Sequence, residues 1–275
     1  MSYYKSYTTK IIETPTYLEV YEYELPIIYD RPPKEPENPR NLDILRIEKI
    51  RTPFEKMDFT QKSESLKRRE RHMKNQRWEV ARLVDCNYDS QTKFVTLTFK
   101  ENLKNIEIAN NEFKNFIQRL NTYLYHTKKA MLHYLATWEL QKRGAVHFHA
   151  IFFGLPYIRK KELQEIWKNG FIKINQVDVD SKANRGLYVS KYFAKDLETK
   201  DKSKKSFFKS QNLKKPSVKK VKTPPDFGEK EVLYSKNYTR IEPKFRGFNN
   251  DGSKNIEFVE NHIKYTKIKR NTDEK

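Results

Sequence analysis

Cysteine and glycine are scarce in this chain of 275 residues, which has one cysteine, Cys86, and seven glycines. A single cysteine excludes an internal disulfide and any zinc cluster made of cysteines. No apolar run approaches the roughly 20 residues needed to span a bilayer. The first residues, MSYYKSYTTK, contain no apolar segment of a signal peptide. We therefore expect a cytoplasmic protein with no membrane partner.

Acidic residues are in deficit, since 56 lysines and arginines face 36 aspartates and glutamates, for a net charge of +20. A charge this large bears on partners rather than on the fold. Nucleic acid is the first expectation, ahead of a membrane surface or simple solubility. The glycines form no phosphate-binding G-x-x-x-x-G-K-[ST] motif, so we expect a separate helicase to be a partner.

The first part of the chain, residues 1–62, is expected to be an extension. It holds one predicted strand at 17–25, rich in tyrosine and valine, and an extended linker at 31–40 with four prolines. Residues 63–84 are basic and free of glycine and proline, which predicts a helix. That helix begins the main domain, residues 63–198, and either stays solvated, contacts DNA or lies on the core.

The last part of the chain is predicted to be less regular. Residues 199–230 are expected to be a flexible lysine-rich segment, because residues 200–222 contain ten lysines and one acid, Asp201. Residues 231–275 alternate polar and aromatic side chains. They are expected to form a strand, a helix near 255–264, or nothing stable alone.

The centre of the chain shows a regular succession of predicted strands and helices. Short β-branched or aromatic runs predict strands, and an apolar spacing of three and four residues predicts helices. The strands are expected at 93–100, 131–141, 146–154 and 171–180, and the helices at 106–125, 159–168 and 184–196. The order β-α-β-β-α-β predicts an α+β, ferredoxin-like antiparallel sheet with helices on one face, followed by a helix that carries two tyrosines.

A candidate metal site lies in the predicted hairpin at 131–154. His147 and His149 are separated by one residue, so they share one face of a strand. Gly144 suits the last position of a three-residue loop, and that loop places Glu139 opposite His147. Two imidazoles and one carboxylate without a thiolate favour a catalytic Mg²⁺ or Mn²⁺, and would also bind zinc.

A candidate nucleophile lies further along the chain. Tyr188 and Tyr192 are four residues apart, so on the predicted helix they share a face. Lys191 and Lys195 lie in the same turns, where cations lower the cost of a phenolate and bind phosphate. A free phenol has a pKa near 10 and needs such help to attack.

Three stretches in this order resemble the motifs of rolling-circle replication initiators of the HUH endonuclease superfamily. They are FVTLTF at 94–99, the HFH triplet that follows WELQKRG, and Y-x-x-K-Y at 188–192. The paired tyrosines look most like the initiators of small single-stranded DNA phages and related plasmids. The resemblance covers residues 93–196 and identifies residues 63–198 as an endonuclease domain.

The resemblance implies a divalent ion on Glu139, His147 and His149, and a tyrosine that nicks single-stranded origin DNA. The tyrosine becomes joined to the 5′ phosphate and frees a 3′ hydroxyl for a host polymerase, in a prokaryotic cytoplasm. Religation then ends the round. Tyr188 is expected to attack first, although Tyr192-x-x-Lys195 fits the same pattern as Tyr188-x-x-Lys191.

Two other interpretations stay open at the level of sequence. A relaxase or a single-strand transposase of the same superfamily would use the same chemistry for another task. A non-catalytic protein could bind single strands by stacking bases on sheet aromatics such as Phe94 or Phe148.

Overall fold

A computed structural model describes residues 5–29, 54–176, 207–248 and 254–270. Three α-helices lie in these residues: α1 (Phe59–Asn87), α2 (Ile106–Tyr125) and α3 (Lys160–Trp167). The strands are β1 (Lys5–Glu13), β2 (Tyr17–Tyr29), β3 (Lys93–Phe99), β4 (His133–Leu140), β5 (Val146–Phe153), β6 (Gly170–Gln176), β7 (Phe208–Lys209), β8 (Ser217–Val221), β9 (Val232–Phe248) and β10 (Lys254–Lys269). None of the described helices is both long enough and apolar enough to cross a membrane.

The chain divides into two compact units, one of residues 1–67 with 217–275 and the other of residues 68–216. The second unit contains a five-stranded sheet in the order β6-β3-β5-β4-β7. Every neighbouring pair in this sheet is antiparallel. The result is a mixed α+β structure compatible with the ferredoxin-like fold, as the succession of elements predicts.

Helices cover both faces of this sheet. On one face α2 and α3 bury the main apolar core, in which Phe113, Phe116 and Trp167 are almost fully enclosed. On the other face Val80 and Val84, near the end of α1, pack against strand residues such as Ile151. The basic helix predicted at 63–84 is therefore confirmed, and its last turns lie on the core.

One glycine fixes the position of the strand β6. Gly170 has a φ of +154°, and a Cβ atom at this position would lie 2.3 Å from the carbonyl oxygen of Thr98. Only a residue without a side chain permits this approach of β6 to β3. The peptide N–H of Lys100 donates to the Asn169 carbonyl at 2.8 Å beside it, so the start of β6 is held closely.

The lysine-rich stretch differs from the flexible segment expected over 199–230. Within its described part, Phe208–Lys209 and Ser217–Val221 are the strands β7 and β8. β7 pairs with β4, and β8 pairs with β1 over Thr9–Glu13. Backbone hydrogen bonds form these pairs while the lysine side chains stay in solvent, so composition alone does not reveal them.

The first unit holds a second five-stranded sheet that the sequence did not predict, in the order β8-β1-β2-β10-β9. The strand predicted at 17–25 is confirmed as β2 and is longer, whereas β1 was missed. The helix expected near 255–264 is wrong, because these residues belong to β10. From Asn261 to Lys267 every second side chain is buried, which is the two-residue period of a strand.

A buried amide organises the turn between α2 and β4. The Asn121 side chain is 5% exposed. Its Nδ2 donates to the carbonyls of Thr127 and Lys129, at 2.9 and 2.8 Å. Its Oδ1 accepts from the peptide N–H groups of Met131 and Leu132, at 2.8 and 3.1 Å. One side chain thus satisfies four backbone groups just before β4 begins.

We predict that Asn121→Ala destabilises the second unit by roughly 2–4 kcal/mol, because four buried backbone groups lose their partner. Asn121→Asp should also destabilise it, since a carboxylate cannot donate to the two carbonyls. Urea unfolding measures the loss, and hydrogen exchange at Met131 and Leu132 locates it. Asn115→Ala, on the exposed side of α2, is the control. Wild-type stability of Asn121→Ala would contradict this role.

Candidate metal centre

The hairpin of β4 and β5 has the predicted loop and register. Gly144 adopts a φ of +84°, the left-handed conformation expected for it. The Gln141 N–H donates to the Ala145 carbonyl at 2.8 Å and closes the loop. Glu139 lies directly opposite His147. The prediction that a three-residue loop brings these two side chains to one face is confirmed.

Alternation along β5 decides which side chains leave the core. Val146, Phe148 and Ala150 have no exposed surface and belong to the core that α2 and α3 cover. His147 and His149 therefore point to the opposite face of the sheet. Their side chains keep 12% and 13% of their surface exposed. They are held by their surroundings but remain accessible from one side.

The side chains of Glu139, His147 and His149 converge on one point. The Nε2 atoms of the two histidines are 3.1 Å apart. Oε1 of Glu139 lies 3.0 Å from Nε2 of His149 and also contacts Nε2 of His147. Two ligands bound at right angles to a divalent ion, with bonds of about 2.1 Å, lie about 3 Å apart. The spacing of these atoms therefore suits adjacent positions around one ion.

The chemistry of these donors fits a hard or borderline divalent ion. Two imidazole nitrogens and a carboxylate suit manganese, magnesium or zinc, and three protein ligands leave coordination positions for a substrate. Cys86 is no candidate ligand, because burial raises the pKa of its thiol to about 12. Among the described residues these three form a group that could hold a metal ion.

Two residues of β3 orient the ring of His149. Oγ1 of Thr96 lies 3.2 Å from its Nδ1, and Phe94 stacks on the ring with centroids 5.5 Å apart. When Nδ1 donates its proton to Thr96, Nε2 keeps its lone pair for an ion. The Nδ1 atom of His147 is buried and finds no such partner in the described part of the chain. The two histidines are therefore oriented in different ways.

The other predicted site residues are the two tyrosines, their lysines and two sheet aromatics. Tyr188, Lys191, Tyr192 and Lys195, with the helix expected at 184–196, fall outside the described residues. Phe94 and Phe148, suggested as surfaces for stacking bases, are 8% and 0% exposed. Both rings are buried and cannot receive a base. This removes the aromatic surface on which the non-catalytic interpretation relied.

Sequence reasoning missed Thr96 as a partner of the site. The signal was available, because β3 was predicted and a threonine directly opposite His149 would share its face. The register of β3 against β5 was not predicted, however, since no short loop joins them. Without that register no residue of β3 could be assigned to a histidine.

Comparison with known proteins adds one finding. The sequence model of a replication-associated protein family, described by its ORF2 members, matches residues 92–197. This similarity supports a replication initiator. The matched range contains the three converging ligands and both tyrosines. Searches of curated proteins and of solved structures each returned no match.

We predict that Thr96→Val weakens Mn²⁺ binding about 10-fold or more, because His149 loses the group that sets its tautomer and orientation. Calorimetric titration measures the affinity. Thr98→Val is the matched control, since Thr98 lies on the same strand and face but directly opposite His147. Equal affinities for the two variants would mean that Thr96 does not orient the ligand.

Proposed function

We propose that this protein nicks and rejoins single-stranded origin DNA through a tyrosine nucleophile, and so initiates and terminates rolling-circle replication. The observation that carries the proposal is the convergence of Glu139, His147 and His149 within a range that matches a replication-associated family. The net charge of +20 suits a polyanionic substrate. Replication supplies the biological setting, and the site supplies the chemistry.

Glu139, His147 and His149 would hold a Mg²⁺ or Mn²⁺ ion. When bound, such an ion neutralises the non-bridging oxygens of a phosphodiester and so favours attack on the phosphorus. The protein's own part is to fix the ligands on a rigid hairpin, leave one side accessible and exclude most water. The exposed fractions of the three side chains, between 12% and 20%, support this arrangement.

Tyr188 is the proposed first nucleophile. Its phenol gives up a proton, its oxygen bonds to the phosphorus, and the bond from phosphorus to the 3′ oxygen breaks. That oxygen takes up a proton and becomes the 3′ hydroxyl used by a polymerase. Lys191 and Lys195 would contact the phosphate or lower the pKa of the phenol. The 5′-phosphotyrosine bond keeps the energy of the broken bond, so rejoining needs no nucleotide.

We expect His147→Ala, His149→Ala and Glu139→Ala to abolish nicking while the protein stays folded, because each removes one ligand. Cleavage of the single strand that carries the origin, with Mn²⁺, measures the effect. His72→Ala, at an exposed position on α1, should cleave normally. Full cleavage by both variants of the converging histidines would remove the ion from the mechanism.

The two tyrosines are expected to divide the work. Tyr188→Phe should impair the first nick most, whereas Tyr192→Phe should allow that nick and impair repeated rounds. A second tyrosine can cut the newly made origin while the first still holds the old 5′ end. The double variant should form no adduct. Mass spectrometry of the trapped peptide locates the bond, and an adduct found only on Tyr192, with Tyr188→Phe fully active, would reverse the assignment.

A further inference from the structure

The ligand-bearing face of the sheet continues past the metal centre to β6. Thr98 lies directly opposite His147 across β3 and β5, and Phe171 lies directly opposite Thr98 across β3 and β6. Residues opposed in this way share a face. Glu139, His147, Thr98 and Phe171 therefore form one row across four strands. Strands are about 4.8 Å apart, so Phe171 lies about 10 Å from His147 along this row.

A second row runs beside the first. His149 lies opposite Thr96, and Thr96 lies opposite Lys173. Phe171 and Lys173 are two residues apart on one strand and point to the same side. Both side chains are exposed, and Phe171 keeps 63% of its surface in solvent. An aromatic ring and a cation thus stand together on the wet part of the ligand-bearing face.

The exposure of Phe171 is a consequence of the strand pattern. Ile172 is buried and Ile174 packs against the main core, so the residues between them must face the other way. A single exposed apolar side chain is common on protein surfaces and indicates nothing alone. Here the ring shares a row with two of the three ligands, and the two other aromatics of that region, Phe94 and Phe148, are buried.

The backbone beneath the ring is held in place. Gly170 precedes Phe171 and approaches β3 so closely that a Cβ atom would collide with the Thr98 carbonyl. On its other side the ring lines an open groove of about 1240 Å³, together with Lys100 and Lys168. A fixed backbone with free space around the ring is what a stacking surface requires, because little freedom is lost when a base binds.

We propose that Phe171 stacks on a base of the bound single strand next to the cleaved phosphate, and that Lys173 contacts an adjoining phosphate. This deepens the proposed function and rests on it. Aromatic rings accept any base, since every base has a π face, whereas a lysine recognises only the charge of the backbone. The two residues therefore fix where the strand lies relative to the ion without reading its sequence.

The test compares two ligands on the full chain without a divalent ion, so that no cleavage occurs. One is a thymidine homopolymer and the other is an abasic oligonucleotide of equal length, which keeps the phosphates and lacks the bases. Phe171→Ala should bind the homopolymer about tenfold more weakly and the abasic strand as well as wild type. Phe171→Trp should restore binding. Phe258→Ala, which removes another exposed ring, is the control.

Lys173→Ala should behave differently, losing affinity equally for both ligands and lowering the log–log salt slope by about 0.7. Lys114→Ala, an exposed lysine on α2, controls for the loss of charge. Unchanged binding by Phe171→Ala, or an equal loss on both ligands, would overturn the stacking role. Because no cleavage is involved, this result is independent of nicking: a binder without nuclease activity would pass, and a nuclease without this contact would fail.

Discussion

The strict alternation of side chains along β5 is the constraint on which the site depends. Val146, Phe148 and Ala150 must enter the core, and they do so without any exposed surface. The residues between them are thereby forced to the opposite face. A shift of one residue in register would bury both histidines and expose the core, so the packing of the core itself holds the ligands in place.

The site was predictable because its interactions are local. Glu139 and His147 are eight residues apart in one hairpin, and a loop ending in Gly144 determines which residues face each other. The fold of the second unit was predictable for a similar reason, since its strands and helices alternate in clear patterns. What failed was register between strands that no short loop connects, and therefore the assignment of Thr96 and Phe171 to the same face.

The sheet of the first unit shows a stronger limit, because it joins opposite ends of the chain. The side chain of Asn261 accepts a hydrogen bond from the Leu25 N–H at 2.9 Å and donates to the Leu25 carbonyl at 3.1 Å. These residues are 236 positions apart. The amide satisfies a backbone segment of β2 as a neighbouring strand would. Neither periodicity nor composition can indicate which distant segment a strand will meet, since the backbone groups are the same everywhere.

The two faces of the second sheet explain how one fold serves both stability and chemistry. One face is fully covered by α2 and α3 and supplies the larger core. The other face is covered by α1 only where Ile151 and Phe153 lie, beyond the histidines. The ligands and β6 are left where the cover ends. Three lone-pair-bearing atoms brought within about 3 Å of each other destabilise the protein on their own. A binding ion offsets this cost, since a ligand that binds only the folded state stabilises it. The large core on the covered face provides the stability that keeps such a group of ligands assembled before any ion arrives.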